Sequence, residues 1–395
     1  MNFAFSEEQQ ALRDQARKFL ADRAAPARVR RILESDEPYD RELWRGMAEL
    51  AWMGTAIPES HGGAGFGYLE LCVLAEELGR SLAPTPFSSS VYLATEALLL
   101  AGSPEQQKRW LPRLALGEAI GCFALAEGPR APHPGHLTTL ARDGRLSGTK
   151  LPVPDGDVAD FAIVAAKAAE GPPAAVSLYL AELGAGGVTR APVATVDPTR
   201  SHARIIFEGA AAEPLGPAGA GWPLVERLLD RAAVLVAFEQ VGGAQAALEM
   251  GRDYALGRFA FGRPIGSFQA IKHKLADVYV AVELARSNAY YAAWALSTEA
   301  AELPVAAAAA RVAASEAFFH AAKENIQTHG GMGFTWEFDC HMYYRRAKLL
   351  ALTLGSTARW KDKLITRLML GEAQPARGAA AAGEAPIQVS SRADI

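Results

Sequence analysis

Two stretches of this chain place groups able to hold an anionic ligand where the backbone turns. One runs from Arg258 through Phe261, Gly262 and Arg263 to Gln269; the other runs from Gln327 through Gly330 and Gly331 to Phe334. A guanidinium beside a glycine-bounded corner offers a planar fork of donors that stays charged, which suits a pyrophosphate; the same residue also reads as a solvated helix-end arginine. Gln327 with Gly330 and Gly331 reads as a helix end that lets another group approach the backbone closely, or as an ordinary glycine stop. His273, between Lys272 and Lys274, reads as part of a solvated face. Asp339, His341 and Tyr343 lie two residues apart, a spacing that does not bring side chains together on a helix. Neither histidine belongs to a cluster with metal-ligand spacing.

The elements that must position these groups follow from periodicity. From Ser6 to about Gly117 apolar residues recur at three and four, in runs that include Glu42 to Leu50, Tyr68 to Leu78 and Pro104 to Leu114. A glycine-rich loop from Pro58 to Gly67 breaks the pattern. Beyond Ile120 the segments Phe161 to Ala166, Ala175 to Leu183 and Ala203 to Gly209 are short and rich in β-formers. Long helices return over Leu224 to Leu256, Gln269 to Glu302, Pro304 to Gly330 and Cys340 to Leu370. The expected class is α+β: an N-terminal all-helical domain over 1–118, a middle β-barrel-like domain over 119–221, a C-terminal helical bundle over 222–371 and a flexible tail over 372–395.

Composition narrows the class further. A net charge of -4 across 395 residues argues against a nucleic-acid partner, which a basic face would serve. No run approaches the roughly 20 apolar residues that span a bilayer. Cys72, Cys122 and Cys340 are odd in number and widely spaced, fitting neither a disulfide framework nor a zinc site, so a reducing cytoplasm is expected.

Four segments in register carry a resemblance. They are Phe5 to Asp22 at the start, the loop Ile57 to Gly67, the Arg258 to Gln269 stretch, and Gln327 to Phe334 with the following Tyr343 to Lys348 run. Together the chain resembles the acyl-CoA dehydrogenase flavoproteins over residues 3–370. The resemblance implies FAD as cofactor, an acyl-CoA substrate and an electron-transfer flavoprotein as acceptor. It also implies an oligomer, in which Arg258, Phe261, Gln269, Gln327, Gly330 and Gly331 reach a neighbour's FAD, with Ser356 a further cofactor contact. The alanine-rich helix over Ala306 to Ala322 is expected to supply close subunit contacts.

The resemblance breaks where chemistry is done. The family's glutamate base precedes a glycine, and here that pair is Leu354-Gly355. Leucine accepts no proton at any pH, although its backbone N–H could still bond a thioester carbonyl. An alternative base position on an earlier helix falls on Ala232, with Ala233 at the accompanying arginine; Asp230 and Glu239 are the nearest carboxylates, and Glu239 is the weak substitute candidate. The loop expected against the flavin ring has Ala126 for a threonine, and the flanking strand reads Leu151-Pro152-Val153-Pro154, so prolines delete two N–H groups. The preferred reading is a subunit with a defective site of its own that contributes an FAD half-site to a partner. A self-sufficient homo-oligomer with a relocated base and a non-catalytic binding relative are the alternatives.

Overall fold

The computed structural model describes residues 6–169 and 175–372. Capping signals start many of the helices. Ser6 and Gln9 form a reciprocal capping box on α1 (Glu7–Arg23), and Pro26 opens α2 (Pro26–Leu33). The Asp40 carboxylate accepts the N–H groups of Glu42 and Leu43 to start α3 (Arg41–Glu49). Then come α4 (Tyr68–Arg80), a π-helical stretch Ser88–Thr95 that runs into α5 (Glu96–Ala101), and α6 (Pro104–Ala115), boxed by Ser103 and Gln106.

The middle of the chain is a mixed sheet: β1 (Gly121–Ala124), β2 (Leu140–Arg142), β3 (Arg145–Pro154), β4 (Phe161–Ala168), β5 (Val176–Glu182), β6 (Val188–Pro192), β7 (His202–Ala211) and β8 (Glu213–Leu215). The strand order is β6-β7-β3-β2-β4-β5-β8, with β1 parallel to β4. This path ends at β6 and β8, so the barrel-like expectation resolves into an open sheet among the described residues.

The helical remainder is α7 (Gly221–Gly257), a hairpin of β9 (Phe259–Ala260) and β10 (Arg263–Pro264), α8 (Gln269–Ser297), α9 (Leu303–His329), α10 (Cys340–Leu350) and α11 (Thr357–Glu372). Helix α7 packs on α4, α8 and α9, which joins the two helical parts into one core. Glycine permits this: a Cβ on Gly79 would lie 1.8 Å from the Glu239 carbonyl oxygen, and one on Gly242 would lie 1.8 Å from that of Glu76. Most of the alanines expected at a subunit contact are buried within the chain, where α9 meets α7 and α8, with Ala309 and Ala313 half-buried. The single helix expected from Cys340 to Leu370 is two, broken by a turn at 351–356 in which Leu354 and Gly355 take φ of 62° and 106°. The tail expected from 372 lies outside the described residues, apart from Glu372. No described helix is long and apolar enough to cross a membrane.

Candidate functional site

A buried charge network lies where the two helical parts and the sheet meet. Arg346, on α10, donates from Nε to Asp197, and from its terminal nitrogens to Thr199 Oγ1 (2.8 Å) and the Leu82 carbonyl (3.2 Å). It also reaches Glu239 on α7 at 3.5 Å. Arg200 donates to Glu239 and to Ser88 Oγ (2.7 Å), and Ser89 and Ser201 donate to Asp155 at the end of β3. Taking such charges from water is costly, and it is offset only when they pair and bond to one another as these do. Burial pushes the Asp155 carboxyl up to about 6, with Ser89 and Arg200 opposing. For Asp197 burial also pulls upward, but Arg346 and Thr199 outweigh it and leave the carboxyl below its ordinary value.

Glu239, the substitute base weighed from sequence, is therefore corrected in position and role. It is 0% exposed and stands between the guanidinium groups of Arg200 and Arg346, a buried structural position. Asp230 is held likewise by Arg367 (2.7 Å) and Lys363 (3.5 Å).

Another buried arginine shapes the turn that carries Leu354. Arg311, on α9, donates to Gln240 and Ser315 on one side, and to the Leu350 and Thr353 carbonyls on the other. Burial lowers its proton affinity and the Glu239 charge opposes that; a guanidinium keeps its proton regardless. The turn is pinned from below, Leu354 sits half-buried in left-handed backbone, and no described residue accepts its N–H. Ser356 follows at the surface, where its Oγ accepts from Arg359 N (3.3 Å) at the start of α11.

The loop before β2 and the end of β3 satisfy one another. Leu151 N donates to the Ala126 carbonyl (2.8 Å) and Gly128 N to the Leu151 carbonyl (2.7 Å). The Lys150 ammonium, fully buried, donates to Glu127 (2.7 Å) and to the Leu125 and Ala165 carbonyls. Burial lowers Lys150 to about 8 against the pull of Glu127. Burial raises Glu127, but Lys150, Thr139 and Thr138 overcome this and leave it at about 2. With Pro152 and Pro154 lacking N–H and that of Leu151 engaged, this edge has no free backbone donor at those three positions.

The remaining candidates gather elsewhere. Arg258 caps α7 through its N–H to the Tyr254 carbonyl (2.8 Å), and its exposed side chain has no partner among the described residues. Phe261 and Gly262 form the hairpin tip with φ of 54° and 78°, and Phe261 is 95% exposed. An aromatic side chain held in left-handed backbone and left in water is an unlikely product of folding alone, because both features are unfavourable. Gln269 opens α8 and Gln327 lies in the last turn of α9, both exposed. Gly330 has φ 59° and ψ -135°, a conformation other residues avoid. The antiparallel run of α8 and α9, bridged by Lys274 and Glu324 (3.2 Å), and the Tyr254–His329 ring stack at 4.0 Å bring these groups to one end of the bundle. Ser356 is not among them: its turn is tied to Arg311, about 24 Å along α9 from Gln327 at 1.5 Å per residue.

The acyl-CoA dehydrogenase N-terminal domain family matches residues 6–118 and the C-terminal domain family matches 219–369. The chain is 38% identical to acyl-CoA dehydrogenase IpdE2 of Mycobacterium tuberculosis, over 89% of this chain and 94% of that one. The chain belongs to the acyl-CoA dehydrogenase family. Among solved structures, a variant of the Tcur3481-Tcur3483 steroid ACAD superposes with a TM-score of 0.84 at 32% identity, covering 93% of this chain and 99% of that one. The ChsE4-ChsE5 complex from Mycobacterium tuberculosis does so with a TM-score of 0.84 at 30% identity, covering 95% and 100%.

This acyl-CoA dehydrogenase chain holds several polar residues that reading its sequence passes over. Lys150 shares the inward positions of β3 with Leu146, and a lysine in phase with a buried leucine is a usable signal. Arg311 is the one arginine or lysine between Leu303 and Ala322, on a helix otherwise rich in alanine, which marks a charge that must find a partner. Asp155, Asp197 and Arg200 carry no such mark.

Proposed function

We propose that this chain is the base-less subunit of a two-subunit, FAD-dependent acyl-CoA dehydrogenase, completing the active site of a glutamate-bearing partner. The observation that carries this reading is the separation of two regions. At one end of the bundle the exposed side chains of Arg258, Gln269 and Gln327 have no hydrogen-bond partner among the described residues, and Phe261, edge-on to Phe268 at 6.3 Å, is 95% exposed. Amid the chain, where a base and a flavin ring would be served, stand Leu354, the prolines at 152 and 154, and a network of paired charges.

The cofactor fits the first region and not the second. Arg258 would offer its guanidinium to the pyrophosphate, and Gln269 and Gln327 their amides to polar atoms nearby, with Gly330 and Gly331 allowing close approach. FAD, when bound, supplies the hydride acceptor for α,β-dehydrogenation of the thioester. On the strand expected beside the ring the backbone donor is deleted at Pro152 and Pro154 and engaged at Leu151, so the partner's pocket would hold the ring and supply the base.

The structural relatives described as a steroid ACAD and as a complex of two named chains support a mixed assembly and a bulky, polycyclic acyl-CoA substrate. An electron-transfer flavoprotein is the proposed acceptor. The test is dye reduction with short, branched, aromatic and steroid-derived acyl-CoAs, using the chain alone and co-purified with a glutamate-bearing family member. Turnover should require the pair. Ordinary turnover by the chain alone would overturn the reading, and a colourless, inactive pair would point to a binding relative instead.

A further inference from the structure

The loop between α9 and α10 is gripped from an unexpected quarter. It carries Gly330, Gly331 and Phe334, and the Phe334 ring is 87% exposed. Its far end bears Trp336 and Asp339. Arg30, on α2 and some three hundred residues earlier, donates to the Trp336 carbonyl (2.5 Å) and to the Asp339 carboxylate, with its guanidinium 5.8 Å from the Trp336 ring centre. Glu34, one turn on, accepts from the Trp336 indole N–H. On the other side the His341 ring stacks on Trp336 at 4.4 Å and Arg345 lies over it at 5.4 Å. Arg345 in turn donates to the Val196 carbonyl (2.9 Å), beside the Asp197 that holds Arg346.

We infer that Arg30 is a positioning residue: with Glu34 it sets, from the N-terminal helices, the conformation of the 330–339 loop offered to the neighbouring subunit. This rests on the half-site reading above. The physical argument is preorganisation. A glycine-rich loop free to move must be ordered when a neighbour docks, and the lost backbone and side-chain freedom weakens binding. Gly330 fixes only the loop's start; at its other end Phe338 packs against Tyr254 and His329 (ring centres 6.2 and 5.7 Å), and Arg30 holds Trp336 by its carbonyl and ring and Asp339 by its carboxylate at once. Lysine could satisfy one of these contacts but not all three.

The experiment compares Arg30→Ala, Arg30→Lys, Asp339→Asn and Arg258→Ala in the full chain. It reads amide hydrogen exchange across 330–339, then FAD affinity after assembly with a glutamate-bearing family member. Arg30→Ala should speed exchange in the loop at least tenfold and weaken FAD binding about tenfold. Arg30→Lys and Asp339→Asn should fall between it and the unaltered protein, while Arg258→Ala weakens FAD with exchange unchanged. Unaltered exchange in both Arg30→Ala and Asp339→Asn would overturn the positioning role. Faster exchange with FAD affinity unmoved by any of the four would sustain the grip and overturn the half-site reading.

Discussion

Glu239→Gln separates a structural charge from a catalytic one. Glutamine keeps the shape of the side chain and removes its charge. Arg346 would retain Asp197, Thr199 and the Leu82 carbonyl. Arg200 would keep Ser88 Oγ and could still donate to the glutamine amide oxygen, but it would lose its charged partner, so the loss falls mainly on Arg200, which is 6% exposed. Removing one member of a buried ion pair costs about 3–5 kcal/mol, because the other charge stays buried. The remaining Asp155 charge, attracted to Arg200, offsets part of this, so the lower end, about 3 kcal/mol, is expected. The assay is urea unfolding followed by tryptophan fluorescence, with dye-reduction turnover of the mixed assembly measured in parallel. Adding Arg200→Met should recover at least about 1 kcal/mol, since it removes the buried guanidinium that Glu239→Gln leaves without its charged partner. If Glu239→Gln unfolds within about 0.5 kcal/mol of the unaltered protein while turnover falls by about a hundredfold or more, Glu239 is the base and the reasoning fails.

Other outcomes follow from the same geometry. Arg258→Ala should weaken flavin binding by the assembly about 10- to 100-fold, the usual worth of a charge-assisted bond, as read by flavin fluorescence. The chain purified alone should hold less than one FAD per subunit and should not run as a 42.0 kDa monomer by light scattering. Under the proposed reading Leu354→Glu should leave the chain alone without appreciable dye reduction, because a carboxylate there supplies neither a hydroxyl at Ala126 nor an N–H at Pro152. Asp155, pushed up to about 6 mainly by burial, favours the folded state while protonated; that contribution is full below about pH 4 and is lost as pH rises through about 6. Between pH 5 and 7 the unaltered protein should therefore lose stability relative to Asp155→Asn, by on the order of 1–3 kcal/mol in urea unfolding.

Helices and their order were legible in the sequence because amphipathic periodicity and capping are local: Ser6 with Gln9, and Ser103 with Gln106, lie three residues apart and act there. The family was legible from four segments in register, and the leucine at 354, where the resemblance expects a glutamate, from a single residue. The π-helical stretch Ser88–Thr95 and the break at 351–356 were not, since apolar spacing carries no record of a wider turn or of a left-handed residue. The open path of the sheet depends on which edges remain unpaired, which strand composition does not state.

The sequence by itself determined what the chain lacks at Leu354, Ala126 and the prolines at 152 and 154, because a missing lone pair or N–H is a property of residue type. Only the tertiary structure decided which charged groups are engaged. Glu239 looked like a spare carboxylate until Arg200 and Arg346, 39 and 107 residues away, closed on it. Ser356 stood with Gln327 among the expected cofactor contacts until the fold tied its turn to Arg311, far along α9 from Gln327. Burial and long-range pairing set the energy of a charge, and neither is written in its neighbours along the chain.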